Sequence, residues 1–160
     1  MIRRVTESEL PLCLRVIHEA FGTVAEAFGL TPDNCPTNGA FLPLAKLRED
    51  YQKGDAMFIC CEGDTIVGFM QLSRSEESAY ELEKLAVLPE HRHRGYGKAL
   101  LGFAKQEAAA NGVARIHIGI IEENERLKRW YLANGFVHMG TRVFPHLPFT
   151  VGFLETACGG

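Results

Sequence analysis

A chain of 160 residues, 46% hydrophobic and 23% charged, has the size and apolar content of one folded domain, which excludes a disordered chain. A formal net charge of −3 without a long run of one sign excludes a broad basic face for nucleic acid. The five cysteines are odd in number and none forms C-x-x-C, which argues against a disulfide framework and against a zinc site.

Residues 1–16 are too poor in apolar residues for a secretion signal, and no apolar run is long enough to span a bilayer, so a cytoplasmic protein without membrane contact is expected. Residues 2–5 predict a short first strand. Thr6 or Ser8 then caps a helix with Glu9 in its first turn, and Leu12, Val16 and Ala20 recur at helical spacing beside Leu10, Leu14 and Ile17. Residues 29–40 are rich in Gly, Pro and Asn and read as a loop, after which 41–54 resume a helix that ends near Gly54. Residues 56–62 and 65–73 flank Gly63-Asp64, a hairpin signal. A polar connection over 73–79 leads to a third strand over 80–88. Residues 95–111 form a helix with Leu101, Ala104 and Ala108 on one side, Leu100 and Phe103 adjacent, and Asn111-Gly112 as its stop. A β-rich run over 114–121, a helix over 124–136 stopped by Asn134-Gly135, and strands over 136–144 and 149–157 complete the chain.

The order β-α-α-β-β-β-α-β-α-β-β puts three antiparallel strands before a β-α-β crossover. It predicts an α/β (α+β) chain, with a mixed, mostly antiparallel sheet covered by helices on both faces and one domain over 1–160. The last strand, 149–157, is the candidate edge for pairing with a second copy in a homodimer.

Between the 80–88 strand and the 95–111 helix lies His91-Arg92-His93-Arg94-Gly95-Tyr96-Gly97-Lys98. A helix start presents unpaired N–H groups and the positive end of a dipole. Glycine lets a ligand oxygen approach that backbone, and arginines add charge-assisted bonds, so the stretch suits phosphate. The spacing Gly95-x-Gly97-Lys98-Ala99 is not a P-loop, and Leu100 stands where a dinucleotide fingerprint needs its third glycine. His91 and His93 have no third metal ligand at recognisable spacing.

Residues 85–101, LAVLPEHRHRGYGKALL, resemble the acyl-CoA signature of the GNAT superfamily of CoA-dependent N-acyltransferases, [QR]-x-x-G-x-[GA] after a strand ending apolar-Val-x-Pro. Arg92, Gly95 and Gly97 stand at its fixed positions, and Val87 and Pro89 at the strand end. Separately, Asn124, Leu127, Tyr131, Gly135 and Phe136 are similar to the family's N-x-x-A-x-x-x-Y-x-x-x-G-F, with Leu127 in place of the usual Ala. The resemblance implies an N-acetyltransferase that moves acetyl from acetyl-CoA to a primary amine by direct attack in a ternary complex. The acceptor would be a small-molecule or a protein amine. The alternative is a non-catalytic acyl-CoA-binding module on the same fold. The implied coenzyme contacts are Leu85, Ala86 and Val87 on the strand, Arg92, His93, Arg94, Gly95, Tyr96, Gly97 and Lys98 at the helix start, and Asn124 and Tyr131 on the later helix.

The implied chemistry needs a neutral amine, a stabilised oxyanion and a proton for the departing thiolate, whose intrinsic pKa is roughly 8.5. Tyr131, seven residues and two helical turns from Asn124, is the candidate acid. Glu81 and Glu83 alternate along the strand and are expected on one face with Leu85 and Val87, where desolvation raises a carboxylate pKa. Glu81, six residues before Val87, stands where several family members carry a catalytic or amine-binding glutamate. A solvated strand end, a salt bridge to Lys84 or Arg74, and a water chain as base remain open. The family's oxyanion donor would be the backbone N–H of Ala86 or Val87. Residues 29–42 and 144–149 are the expected acceptor walls. Asn38 and His146 are candidate contacts there, each better read as a structural loop residue.

Overall fold

The computed structural model describes residues 1–159, and Gly160, the last residue of the expected domain, lies outside the described residues. Apolar alternation in the middle of the chain becomes strands β2 (Ala56–Glu62), β3 (Thr65–Glu76) and β4 (Ala79–Val87). β1 (Ile2–Arg4) lies before them, and β5 (Arg115–Ile121), β6 (Val137–Val143) and β7 (Thr150–Ala157) follow. The seven strands form one sheet in the order β1-β2-β3-β4-β5-β7-β6, antiparallel throughout except for the parallel pair β4–β5. The helices are α1 (Leu10–Phe28), α2 (Leu44–Gln52), α3 (Tyr96–Ala110) and α4 (Glu125–Ala133).

Helix α1 begins as the sequence expects. Thr6 and Glu9 form a capping box, with the Thr6 N–H donating to Glu9 Oε1 at 2.9 Å. Bonds from Arg3 and Thr6 hold the Glu9 carboxyl down at about 2. Leu10, Cys13, Val16, Ile17 and Ala20 are buried at three- and four-residue spacing, where α1 packs on β3 and β4. Leu12 is 54% exposed, because two residues along a helix from Leu10 lies its opposite side. α1 continues through Phe28 and stops at Gly29, which has φ 65°. No helix among the described residues is long and apolar enough to cross a membrane.

Two expectations are corrected. Residues 73–79 are not a loose connection: β3 runs to Glu76 and pairs with β4 almost to the turn, as a ribbon whose polar side chains face solvent. The 149–157 strand is not an edge, since β7 is inserted between β5 and β6. Its Gly152, Leu154 and Thr156 are buried, whereas no residue of β6 is, so the apolar strand takes the inner place and β6 the edge.

The two sheet faces carry different helices. A Cβ on Gly68 would lie 3.0 Å from Leu100, so that face meets α3. Gln71, three residues on, points the other way to α2. Its side-chain amide donates to Asp50 Oδ2 at 3.0 Å and Asp55 Oδ2 at 2.8 Å and accepts from Lys84 Nζ at 3.3 Å. Gln71 and Asp50 are both buried, so this network ties α2 to β3 and β4 under the site. Gln71→Ala leaves Asp50 with Lys46, which bonds its Oδ1 at 2.9 Å, but takes the side-chain donor from Asp55, and is expected to cost about 2 kcal/mol in a urea unfolding titration.

Candidate active site

The parallel pair β4–β5 is the feature that opens a site. Only Ala79, Tyr80 and Glu81 pair with Arg115, Ile116 and His117; beyond them the two strands part. A bulge lies just past the last paired rung, where the gap opens. Leu82 opposes Leu72 and Lys84 opposes Gln71, which leaves Glu83 as the extra residue on β4. The separated strands, with α1, α3 and α4, bound a cleft of about 830 Å³.

The bulge also resets which side chains face which way. The expectation that Glu81 shares a face with Leu85 and Val87 is overturned, because one inserted residue inverts the alternation after it. Lys84 and Ala86 follow Glu81's face, with Gln71 and Phe69 opposite them on β3, while Leu85 and Val87 turn toward α3 with Met70 and Gly68. Glu81 is half-buried on the last paired rung. Burial, then the nearby Glu83 charge, raises its carboxyl to about 7. Glu83 is exposed, borders the cleft and accepts a 2.6 Å hydrogen bond from Ser73 Oγ.

The backbone of β4 separates the two oxyanion candidates. Leu88 N–H donates to Val67 O at 2.8 Å, and antiparallel alternation turns the Ala86 N–H the same way, toward β3. The Val87 N–H then points to the parted side, as does that of Leu85.

At the cleft's end stands the start of α3. Gly95 caps it with φ 87°, a conformation that costs glycine little, and the first helical bond runs from Ala99 N–H to Gly95 O at 3.0 Å. The N–H groups of Tyr96, Gly97 and Lys98 precede that bond and are the helix's unpaired donors. A Cβ on Gly97 would lie 3.3 Å from the Trp130 ring, so glycine keeps the gap between α3 and α4 open here. His93 and Lys98 border the same end, and His93 holds a left-handed φ of 64°.

The arginines of this stretch do different work. Arg92 lines the cleft, and its guanidinium donates to Ala20 O at 3.0 Å and Thr23 Oγ1 at 3.1 Å, fastening the loop to α1. Arg94 lies off the cleft wall, 3.5 Å from the Glu62 carboxylate on β2, and Tyr96 Oη donates to that same carboxylate. This clamp between the loop and the β2 end was not legible in the sequence, where 34 residues separate Glu62 from Tyr96.

On α4, Asn124 is the N-cap: its Oδ1 accepts from Leu127 N at 3.2 Å, which leaves its amide N–H groups for the cleft it borders. Tyr131, two turns on, borders the same cleft and is 3% exposed. Its ring is wedged edge-on between Trp130 and Phe136, with centroids at 4.9 and 5.2 Å. Its hydroxyl bonds no described residue, and burial pushes its pKa well above the ordinary phenol value. Thr156 Oγ1 and Lys105 Nζ take the Gly135 and Asn134 carbonyls, at 3.1 and 2.7 Å, and fix the far end of α4.

Residues from the segments 29–42 and 144–149 meet in the fold. A second apolar cluster joins Ala25 and Phe28 of α1, Leu30 and Cys35 of the following loop, and Leu147 and Phe149 to the end of β5 at Ile121. Asn38 borders the cleft as the cap of a short turn, with Oδ1 accepting from Ala40 N at 2.9 Å; His146 stacks near Phe144 away from it. Arg126, on the first turn of α4, also borders the cleft, and no motif marked it.

A mostly antiparallel seven-stranded sheet with one parting parallel pair, and a glycine-capped helix facing the gap, defines an acyltransferase-type fold, and comparison with known proteins agrees. The family model for the acetyltransferase (GNAT) family matches residues 27–136, so the chain belongs to that family, whose acyl donor is acetyl-CoA. It is 27% identical over 157 residues to an uncharacterized N-acetyltransferase encoded in the pepI 3' region of Lactobacillus delbrueckii subsp. lactis, covering 89% of this chain and 87% of that one. The fold is similar to the ribosomal-protein-S18-alanine N-acetyltransferase of Escherichia coli, with a TM-score of 0.79 at 15% identity over 100% of this chain and 94% of the other. It is also similar to the PaiA N-acetyltransferase of Thermoplasma acidophilum, solved in complex with coenzyme A, with a TM-score of 0.74 at 18% identity over 98% of each chain.

Proposed function

We propose that residues 1–160 form one cytoplasmic N-acetyltransferase domain that transfers the acetyl group of acetyl-CoA to the primary amine of an acceptor by direct attack in a ternary complex. The observation that carries this reading is the single cleft that brings together the unpaired amides of α3, the free edge of β4 and the Tyr131 hydroxyl.

The residues present fit the coenzyme. The α3 amides, with His93 and Lys98 beside them, would take its phosphates, a pairing of anion with helix dipole. Arg94 and Tyr96, engaged with Glu62, would hold the loop in shape. The Leu85 N–H and the Asn124 amide would take the coenzyme's own amides, standing in for the strand contacts that β4 lacks after Glu81. When bound, the coenzyme supplies an acetyl thioester. The Val87 N–H would donate to the acyl oxygen as charge develops on it. Tyr131 Oη holds a proton at neutral pH and would give it to the departing sulfur. Glu81, which is not itself among the residues that line the cleft, would take the amine's proton through intervening solvent, and Glu83, which does line it, would hold the incoming ammonium.

The test is thiol release from acetyl-CoA across a panel of amines, with acetylated product identified by mass. Release that depends on an amine supports the reading. Tight coenzyme binding with no release on any amine overturns it in favour of a non-catalytic binding module.

A further inference from the structure

We infer that the acceptor is a zwitterionic α-amino acid with an apolar or aromatic side chain, its carboxylate taken by Arg126; this rests on the acetyltransferase reading above. Basic side chains outnumber acidic ones on the cleft wall. Lys84, His91, Arg92, His93, Lys98 and Arg126 border it against a single carboxylate, Glu83. Most of these basic groups already have work. His93 and Lys98 stand at the α3 start, Lys84 is bonded to Gln71, and Arg92 is bonded to α1 at Ala20 and Thr23.

Arg126 is different. Among the described residues it makes no ion pair and no side-chain hydrogen bond. It borders the cleft together with Arg92, whose own pKa is lowered by burial and then by the Arg126 charge. Two guanidinium groups that border one cleft, neither paired with a carboxylate, raise the local potential, and a carboxylate there gains charge-assisted bonds. Arg92 reaches α1 at Ala20 and Thr23, and the next turns of α1 supply Val24 and Phe28 to the apolar acceptor wall, which Cys35, Leu147 and Phe149 complete. The guanidinium pair is therefore at the acceptor side of the cleft.

One carboxylate for an ammonium, one unpaired guanidinium for a carboxylate, and an apolar wall beside them match an amino acid feature for feature. A polyamine would set two or more ammonium groups against one carboxylate and two guanidinium groups, which is repulsive. A peptide N-terminus has no carboxylate beside its amine and would leave Arg126 unused.

Thiol release from acetyl-CoA is measured with phenylalanine, leucine, their α-amides and spermidine, and each kcat/KM is referred to the neutral-amine fraction of that acceptor at the assay pH, because the adjacent carboxylate makes a free amino acid's ammonium a weaker acid than its amide's. The free amino acids are expected to exceed their amides in kcat/KM by at least about 10-fold, the scale of a charge-assisted bond. Arg126→Gln is expected to abolish that ratio by raising KM for the acids, with the amides and coenzyme affinity unchanged. Preference for the amides or for spermidine overturns the inference and leaves the acetyltransferase reading intact. Loss of coenzyme affinity in Arg126→Gln also overturns it, by giving the guanidinium to the coenzyme's phosphates. No release with any amine, coenzyme binding intact, overturns both.

Discussion

Tyr131→Phe is expected to lower kcat by about 10²–10⁴-fold while leaving coenzyme affinity within about twofold of the parent. The change deletes one oxygen and keeps the ring, which packs against Trp130 and Phe136, so the wall of the cleft survives. What disappears is a proton donor. The hydroxyl bonds no described residue, yet no buried side-chain polar atom among them lacks a partner, so this oxygen is open to the cleft. Burial disfavours the phenolate, which keeps the hydroxyl protonated across the neutral range. A thiolate leaving group with an intrinsic pKa of roughly 8.5 does not require that proton, but it departs faster with it. Steady-state kcat beside a calorimetric coenzyme titration separates the roles. If affinity and kcat fall together, Tyr131 is a wall of the cleft and not its acid.

The parts of this site that could be read from the sequence are those whose chemistry is local. Gly95 and Gly97 announce a helix start because only glycine lets the backbone turn there and keeps Trp130 at a distance, and Asn124 and Tyr131 announce one face because seven residues are two turns. The parts that could not be read depend on a single inserted residue or on distant partners. Glu83 is invisible as a bulge, since a strand sequence carries no mark of the rung it skips; that one residue moved Leu85 and Val87 off Glu81's face. Arg92 stands at a phosphate-motif position, yet its guanidinium reaches α1, 69 residues away at Thr23. β7 lies inside the sheet because its buried Gly152, Leu154 and Thr156 outcompete β6 for the place beside β5, a choice between two strands that neither states alone. The second apolar cluster draws on three segments far apart in the chain, so no one of them announces it.

Glu81→Gln is the second large effect, and it is read best as a pH profile. The Glu81 carboxyl is raised from 4.5 to about 7, first by burial and then by the Glu83 charge, so in the parent it is mostly protonated at about pH 6 and mostly ionised at about pH 8. A base must be ionised to act; kcat with saturating acceptor is expected to climb through that window and level above it. Glu81→Gln should remove the climb and lower the plateau by about 10²-fold. Glu83→Gln should keep the plateau and move the climb to lower pH, because deleting the like charge lets Glu81 ionise more easily. Stability carries the same signature with a definite sign. A carboxyl whose folded pKa lies above its unfolded one contributes stability that is complete below about 4.5 and is lost as pH rises through about 7. The parent should therefore lose stability across that interval in urea titrations, and Glu81→Gln should flatten the loss. A kcat climb that persists unchanged in Glu81→Gln assigns the ionisation to another group, and the amine's proton then leaves by a route that does not involve this carboxylate.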